Sequence, residues 1–274
     1  MFRCEWKGGR FLKEILSIHN PMIKMLRTLD KPKSRRENRL FMVEGYKMTS
    51  EALAAGVCQI LLVQMDRISD YRLVIDSAMQ RGVDCVALPE SIIRVLGTAS
   101  TPQGICCAAS LPNEPIHLEG ELLIALDGVQ DPGNVGTILR TADAAGYNGA
   151  VLGSGCADPF GPKALRATMG SVFRVPLKQT ADLKQELEVM HNRGYALVST
   201  ELGGDDFFEN CPKQKCVLII GNEGNGISDA ISAISTHHLA LPMYGGAESL
   251  NAAVAAGIMI YELSRQHERR YQHD

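Results

Sequence analysis

The second half of the chain alternates short apolar runs with helical segments, and this alternation limits the fold more than any other feature. The apolar runs read LLIALDGV from Leu122, GAVLG from Gly149, YALVST from Tyr195 and CVLIIG from Cys216. Helical patterns such as NVGTILRTADAAG and DLKQELEVMHNRG lie between them. Strands that are apolar throughout are buried on both faces, which is typical of a parallel sheet covered by helices. We therefore predict an α/β fold with a parallel sheet in the C-terminal part.

The sequence pattern of the first half predicts a smaller α/β domain. Strand-like runs CQILLV, VDCVAL and QGICCAAS alternate with helical segments that end at Gly56 and Gly82, the usual position of a C-terminal glycine cap. The stretch LPNEPIHLEGE, rich in proline and acids, then separates the two halves. We predict a first domain at 1–112, a linker at 113–120 and a second domain at 121–274.

The composition is that of a globular protein, and it bears on the cellular compartment in which the protein lies. Of 274 residues, 45% are hydrophobic and 22% are charged, and no apolar run reaches the eighteen residues of a membrane span. The N-terminal sequence MFRCEWKGGRFLKEIL lacks the apolar core of a secretory signal. Eight cysteines form no CxxC pair, which favours reduced thiols and gives no metal site. These features predict a cytoplasmic protein without a membrane partner.

A basic cluster stands out against the net charge of −3. From Lys24 to Arg39 there are seven Lys or Arg residues and two acidic residues. A phosphate backbone would bind such a cluster, whereas a solvated surface without a partner explains it equally well. Composition alone leaves both interpretations open.

Two glycine-bearing loops follow strands of the second half, where parallel sheets bind ligands. In LDGVQDPGNVGTILRTADAAG, we interpret Asn134 as the N-cap of a helix that carries Arg140 six residues later. In CVLIIGNEGNGIS, the glycines are spaced GxxGxG, which is neither the dinucleotide fingerprint nor a phosphate-binding P-loop. These glycines either let backbone approach a ligand closely or form a plain strand-to-helix turn. Glu223 is the only charged residue of that stretch.

A third loop reads LPMYGGAESLNAAVAAG and leads into an alanine-rich helix. We predict that this helix starts at Glu248 or Ser249 and is regular from about Leu250. Tight helix packing explains the alanines, but it does not explain Ser249 and Asn251 in front of them.

The three loops together resemble the signature of the SpoU, or TrmH-like, branch of the SPOUT RNA methyltransferases. The segment DPFGPKALRATMGSVFRVP also looks like the family's sequence between the first two motifs. The resemblance covers about 150 residues from Leu122 onward. It implies a sheet threaded into a trefoil knot, which is an exception to the rule that chains do not knot. It also implies a homodimer and S-adenosylmethionine as the cofactor.

The resemblance assigns functional residues by position. The polar active-site positions of the family fall on Asn134, Arg140, Glu223, Ser249 and Asn251. The cofactor-binding positions fall on Gly221, Asn222, Glu223, Gly224, Leu241, Met243 and Leu250, and the family uses mainly backbone groups there. All five polar positions carry the family's residue type, as expected of an active enzyme.

The first half also resembles the RNA substrate-binding domain that precedes this catalytic domain, in SRRENRLFMVEGYKMTSEAL and STPQGICCAAS. It favours an RNA role for the basic cluster. We expect RNA contacts from Lys33, Arg35, Arg36, Arg39, Lys163 and Arg166. Aromatic residues make up only 5% of the chain, which favours recognition of folded RNA by shape over a stacking surface for single strands.

The reaction that the resemblance implies is methyl transfer to a ribose 2'-OH. Since a guanidinium stays protonated in water, we assign Arg140 to a phosphate or a developing alkoxide, although a phosphate-assisted base role stays open. Asn134 and Asn251 would orient Arg140 and the ribose, and Glu223 would pair with Arg140 or a backbone donor. By analogy, ribosomal RNA is favoured over tRNA. A non-catalytic RNA-binding protein is the alternative, and the glycine order argues against a nucleotide-dependent oxidoreductase.

Overall fold

The computed structural model describes residues 3–6, 10–98, 101–113 and 116–271. The chain divides into two compact units. Unit 1 takes in Met1–Pro112 with Phe160–Pro162, and unit 2 takes in Asn113–Pro159 with Lys163–Asp274.

Unit 1 is built around a six-stranded mixed sheet. Its helices and strands are β1 (Arg3–Trp6), β2 (Arg10–Glu14), α1 (Pro21–Thr28), α2 (Pro32–Asn38), β3 (Leu40–Glu44), α3 (Tyr46–Ala54), β4 (Cys58–Gln64), α4 (Arg72–Gln80), β5 (Asp84–Leu88), α5 (Glu90–Leu96) and β6 (Ile105–Ser110). The strand order is β1-β2-β5-β4-β6-β3. The strand β6 runs antiparallel to both of its neighbours, and β4 runs parallel to β5. As predicted, Gly56 and Gly82 follow helix ends with positive φ angles of 74° and 77°.

Unit 2 contains a six-stranded sheet in which every pairing is parallel. Its elements are β7 (Leu122–Leu126), α6 (Pro132–Ala144), β8 (Gly149–Leu152), α7 (Pro162–Thr168), β9 (Leu177–Gln179), α8 (Leu183–Asn192), β10 (Ala196–Asp206), α9 (Phe207–Asn210), β11 (Cys216–Ile220), α10 (Asp229–Ser232), β12 (His237–Ala240) and α11 (Ala252–Tyr271). The order is β12-β10-β11-β7-β8-β9. The predicted α/β fold with a parallel C-terminal sheet is confirmed.

The register of β7 and β11 brings two of the predicted loops to one edge. These central strands are buried along their whole length, and Leu126 lies opposite Ile220. The N–H of Asp127 donates to the carbonyl of Ile220 at 2.8 Å. The loops that begin at Asp127 and Gly221 therefore leave neighbouring strands at the carboxyl edge of the sheet, where ligands of parallel sheets bind.

The start of α6 differs from the prediction. Asn134 is not the N-cap; the cap is Asp131, whose carboxylate accepts the N–H groups of Gly133 at 2.6 Å and Asn134 at 3.0 Å. Pro132 stands at the first helical position, where its missing N–H costs nothing and its fixed φ suits a helix. The helix thus begins early enough to place Asn134 within its first turn.

The predicted start of the last helix, at Glu248 or Ser249, was also wrong. The helix α11 begins at Ala252, and its N-cap is Asn251, whose Oδ1 accepts the N–H groups of Ala253 at 2.9 Å and Val254 at 3.3 Å. Asparagine is among the best N-cap residues because its side-chain oxygen satisfies backbone donors that the helix leaves unpaired. Residues 241–250 therefore form a loop.

Seven cysteines have described side chains, and all are free and buried or half-buried: Cys58, Cys85, Cys106, Cys107, Cys156, Cys211 and Cys216. Among the described residues, no helix combines the length and the apolar character that a membrane crossing requires.

Two helical glycines allow a matched test of the packing in unit 2. A Cβ on Gly136 of α6 would lie 2.5 Å from the carbonyl oxygen of Ala164 and 2.5 Å from the Cβ of Ala167. We expect Gly136→Ala to lower the free energy of unfolding by about 1–3 kcal/mol through overpacking. At Gly257 of α11 the nearest atom is 3.8 Å away, on Thr141. Gly257→Ala should raise the stability by about 0.5–1 kcal/mol through helix propensity.

Urea denaturation followed by circular dichroism measures both variants. Shifts of the same sign in the two variants would contradict the close packing of α6 on α7.

Candidate functional site

Three loops contribute the predicted site residues. The first loop, 127–131, follows β7, the second loop, 221–228, follows β11, and the third loop, 241–250, joins β12 to α11. The strands before them are neighbours or near neighbours in one parallel sheet. Polar side chains from all three regions can therefore converge at its carboxyl edge.

The carboxylate of Glu223 joins the second loop to the first. Its Oε2 accepts the backbone N–H of Gln130 at 3.0 Å, and its Oε1 accepts the N–H of Asp131 at 3.1 Å. The same Oε1 accepts a hydrogen bond from Nδ2 of Asn134 at 2.9 Å. Partial burial alone raises the pKa of Glu223, but these bonds outweigh it and the pKa lies below its ordinary value. Glu223 is thus an ionised acceptor that holds two loops together.

Asn134 and Asn251 extend this contact to the start of α11. Nδ2 of Asn251 donates to Oδ1 of Asn134 at 3.2 Å, across 117 residues of sequence. The direction of both amides is fixed by their other partners, since Asn251 must turn its oxygen to the N–H groups of α11 and Asn134 must turn its nitrogen to Glu223. We call the hydrogen-bonded series Asn251–Asn134–Glu223 the site chain.

The second loop is held in shape by its own side chain at Asn222. Nδ2 of Asn222 donates to the carbonyl of Gly128 at 2.7 Å, and its Oδ1 accepts the N–H of Gly224 at 2.9 Å and of Asn225 at 3.0 Å. A Cβ on Gly221 would lie 2.3 Å from the backbone carbon of Gly226, so only glycine fits there. The loop is therefore preformed and has little freedom to change.

The third loop, unlike the second, is not held in shape by hydrogen bonds to described residues. Within the described part of the chain, the backbone of residues 241–250 forms no hydrogen bond, and Ser249 forms none with its side chain. Leu241 and Met243 are half-buried, whereas Leu250 and Ser249 are exposed. Residues 244–250 are exposed, so their backbone N–H and C=O groups are open to solvent and remain available to a ligand. This loop can hold a ligand through its main chain, which is the type of recognition predicted for Leu241 and Leu250.

Arg140 lies outside the site chain. It is exposed on α6 and forms no hydrogen bond or ion pair with any residue that the structure describes. The prediction that Glu223 pairs with a backbone donor holds, and the alternative pairing with Arg140 is not formed. Asn134 and Asn251 contact each other and do not orient Arg140. The guanidinium is available to an anionic group.

Asp131 is a site residue that the sequence reading missed. Its Oδ1 caps α6, and its Oδ2 forms an ion pair with Nζ of Lys163 at a distance of 2.8 Å. Lys163 is the largest cause of the lowered pKa of Asp131, followed by the backbone bond from Asn134. The signal was present in the Asp-Pro-Gly sequence, which is a common helix start. Lys163, predicted as an RNA contact, is thus engaged at the first loop.

One predicted RNA contact is wrong. Arg35 is 3% exposed, and its Nη1 donates to the carbonyl of Leu29 at 2.7 Å and of Asp30 at 2.9 Å. A buried guanidinium that satisfies the end of α1 cannot reach a phosphate, so Arg35 has a structural role.

The other predicted RNA contacts are exposed. Lys33 lies 3.8 Å from Glu37 in a solvent-exposed pair, and Arg39 donates to the carbonyl of Pro112. Arg36 and Arg166 are also at the surface. These cations are accessible to a polyanion, and surface pairs of this kind are weak enough to exchange partners.

Unit 2 is an α/β domain with a parallel sheet, and the loops at the carboxyl edge of that sheet form the candidate ligand site. Comparison with protein families identifies the class more closely. Residues 121–261 match the SpoU rRNA Methylase family, and residues 20–107 match the MRM3-like substrate binding domain. The chain belongs to the SpoU rRNA methylase family, which confirms the resemblance found in the sequence.

Proteins that are similar to this chain along most of their length support the same family. The chain is 35% identical over 254 residues to the 23S rRNA (guanosine(2553)-2'-O)-methyltransferase RlmP of Bacillus subtilis, covering 92% of this chain and 99% of the relative. The AdoMet-bound rRNA methyltransferase of Sinorhizobium meliloti is 34% identical, with a TM-score of 0.82 and coverage of 93% and 98%. The SpoU methyltransferase AviRb of Streptomyces viridochromogenes in complex with AdoMet is 28% identical, with a TM-score of 0.81 and coverage of 91% and 99%.

The role of Glu223 leads to a pH prediction. Because its pKa is lowered on folding from an ordinary 4.5, its stabilising effect is complete above that value and is lost as the pH falls through the lower, folded value. We expect Glu223→Gln to be less stable than the wild type near neutral pH, with a difference that shrinks in acid. Urea unfolding at a series of pH values measures this.

Glu248→Gln is the matched control, since Glu248 is exposed and accepts no hydrogen bond from a described residue. A Glu223→Gln difference that stayed constant from neutral to acidic pH would contradict the assignment.

Proposed function

We propose that this protein transfers a methyl group from S-adenosylmethionine to a ribose 2'-OH of ribosomal RNA. The observation that carries the proposal is the site chain Asn251–Asn134–Glu223, which joins three of the family's five polar positions at the carboxyl edge of the sheet. The Bacillus subtilis relative, similar along nearly its whole length, is named as an enzyme of this reaction type.

The described residues fit the cofactor. S-adenosylmethionine supplies a methyl group on an electrophilic sulfonium. The free backbone of the third loop offers donors and acceptors at Leu241 and Leu250, and Met243 beside them is half-buried. Gly221, Asn222 and Gly224 form a rigid second wall. We assign these groups to cofactor binding by backbone recognition. Two solved relatives are described as bound to AdoMet.

Arg140 is assigned to the acceptor RNA. A protonated guanidinium binds phosphate oxygens with two parallel hydrogen bonds, and it stabilises the negative charge that develops on the 2'-oxygen as the hydroxyl proton passes to solvent water. Arg140 has no described partner to give up before it does so. Asn134 and Asn251 hold the loops, and Ser249, exposed and unbonded, is free to contact the ribose. Fixing the acceptor and donor in line is the main catalytic contribution of such a site.

The proposal that RNA is the substrate rests on separate roles for the two predicted domains. We assign substrate binding to 1–112 and catalysis to 121–274. Arg36, Arg39 and Lys33 would make phosphate contacts, which position RNA without reading its sequence. The matches to rRNA methyltransferases favour ribosomal RNA over tRNA. These relatives are bacterial, and because bacterial ribosomes are assembled in the cytoplasm, we also propose a cytoplasmic location.

We also propose the trefoil knot and the homodimer of the family. An apolar stripe on α11 supports the dimer, because Val254, Ile258 and Tyr261 are spaced on one helix face and are 40–54% exposed. Phe208, also exposed, lines a cavity of about 580 Å³ with Ile258 and Tyr261. An exposed apolar patch of this kind marks an interface. In the dimer, we assign Arg140 to the site of the other subunit.

A methyl-transfer assay tests the function. Unmodified ribosomal RNA and tRNA pools are incubated with tritiated S-adenosylmethionine, and the product is digested with alkali. We expect label in ribosomal RNA at one alkali-resistant phosphodiester. Arg140→Ala should lower the rate about 10²- to 10³-fold, as loss of one charge-stabilising donor does.

Lys184→Ala, which removes a positive charge from an exposed position on α8, should leave the rate unchanged. Label in tRNA alone would keep the chemistry and overturn the substrate. Cofactor binding without transfer to any RNA would favour the non-catalytic RNA-binding alternative.

The dimer has its own test. Ile258→Asp places a charge in the apolar stripe, and we expect it to convert a dimer to a monomer in size-exclusion chromatography with light scattering. Leu73→Asp, at an exposed apolar position of unit 1, is the control and should leave the mass unchanged. A wild-type monomer would contradict the dimer.

If the wild-type protein is dimeric, mixing Arg140→Ala with Asn251→Ala subunits should restore part of the activity. No recovery would place Arg140 in its own subunit's site.

A further inference from the structure

Two tyrosines and an arginine form a layered cluster in unit 1. The rings of Tyr46 and Tyr71 stack with their centroids 5.9 Å apart at an interplanar angle of 23°. The guanidinium carbon of Arg67 lies 5.3 Å from the centroid of the Tyr71 ring. Tyr71 is 7% exposed, whereas Tyr46 is 48% exposed. Tyr46 is thus the solvent-facing member of the cluster, which we call the Tyr46 platform.

Gln103 fixes all three members. Its Oε1 accepts the backbone N–H of Tyr46 at 2.7 Å. Its carbonyl oxygen accepts Nη1 of Arg67 at 2.9 Å and the hydroxyl of Tyr71. Arg67 is held further by Asp70 at 2.9 Å. The platform is therefore rigid before any ligand arrives, so that binding costs little conformational entropy.

Part of the Tyr46 side chain faces solvent rather than the core. Tyr46 is the first residue of α3, and its hydroxyl forms no hydrogen bond with a described residue. The next residue, Lys47, is exposed and has no ion-pair partner among the described residues. The first turn of α3 carries no acidic side chain. An exposed aromatic ring followed in the chain by an exposed lysine without a described ion-pair partner offers a surface for a base and a charge for the phosphate next to it.

We propose that Tyr46 stacks on an unpaired base of the RNA substrate while Lys47 contacts the neighbouring phosphate. This inference rests on the proposed function, because it requires an RNA substrate. It departs from the expectation of recognition by shape alone: the chain has only seven tyrosines, and two of them are stacked at this one position. The platform selects single-stranded or bulged RNA, since a base inside a duplex has no free face.

The direct test measures affinity by fluorescence anisotropy of the full-length protein for two probes. One is a fluorescein-labelled single-stranded oligoadenylate, and the other is its duplex with oligouridylate. Tyr46→Ala should weaken binding of the single strand about 5- to 30-fold, in line with the loss of one stacked base, and should leave the duplex unchanged. Tyr46→Phe keeps the ring and should bind like the wild type.

Leu73→Ala is the surface control, because Leu73 is exposed on α4 of the same unit. Equal affinity of Tyr46→Ala and the wild type for the single strand would overturn the platform. So would an equal loss for both probes, since it would indicate a general structural effect. Methyl transfer by the wild-type protein to ribosomal RNA separates the two claims. If transfer occurs while Tyr46→Ala binds normally, only the platform fails, and if the wild type transfers nothing, the proposed function fails.

Discussion

The carboxylate of Glu223 is the contact on which the site depends. Two backbone N–H groups of the first loop and one side-chain amide of α6 converge on it. A carboxylate has four acceptor positions and can satisfy three donors at once, which no neutral side chain of this size does. Because its donors favour the ionised form, the charge is retained and the loops keep their spacing. Asn134 also accepts a hydrogen bond from Asn251, and this bond connects Glu223 to the start of α11.

The site combines a rigid part with an open part. The first and second loops are tied by Glu223 and Asn222, and the close approach at Gly221 leaves no room for another residue. The third loop has no backbone hydrogen bonds within the described chain, and Arg140 has no partner there. A ligand that binds between these parts would gain hydrogen bonds on the open side without deforming the rigid side. Such preorganisation suits a reaction that depends on alignment more than on proton transfer.

Sequence reasoning recovered the parallel sheet, the family and the order of the loops, since each depends on local patterns. Glu223 stood out as the single charge among glycines, but its partners did not, because Gln130 and Asp131 contribute backbone groups that carry no sequence signal. Arg35 reads like its basic neighbours, and only packing shows that it caps α1 from the inside. The Asn134 to Asn251 bond spans 117 residues and follows from the tertiary fold alone.

Hydrogen–deuterium exchange at the N–H groups of Gln130 and Asp131 tests the central claim most directly. Glu223→Gln keeps the size of the side chain but removes the carboxylate that accepts both N–H groups and the amide of Asn134. The account predicts faster exchange at both N–H groups in this variant, since a neutral amide cannot accept all three donors. Unchanged exchange at both positions would show that the loops are held independently, and it would contradict the site chain as the element that organises the site.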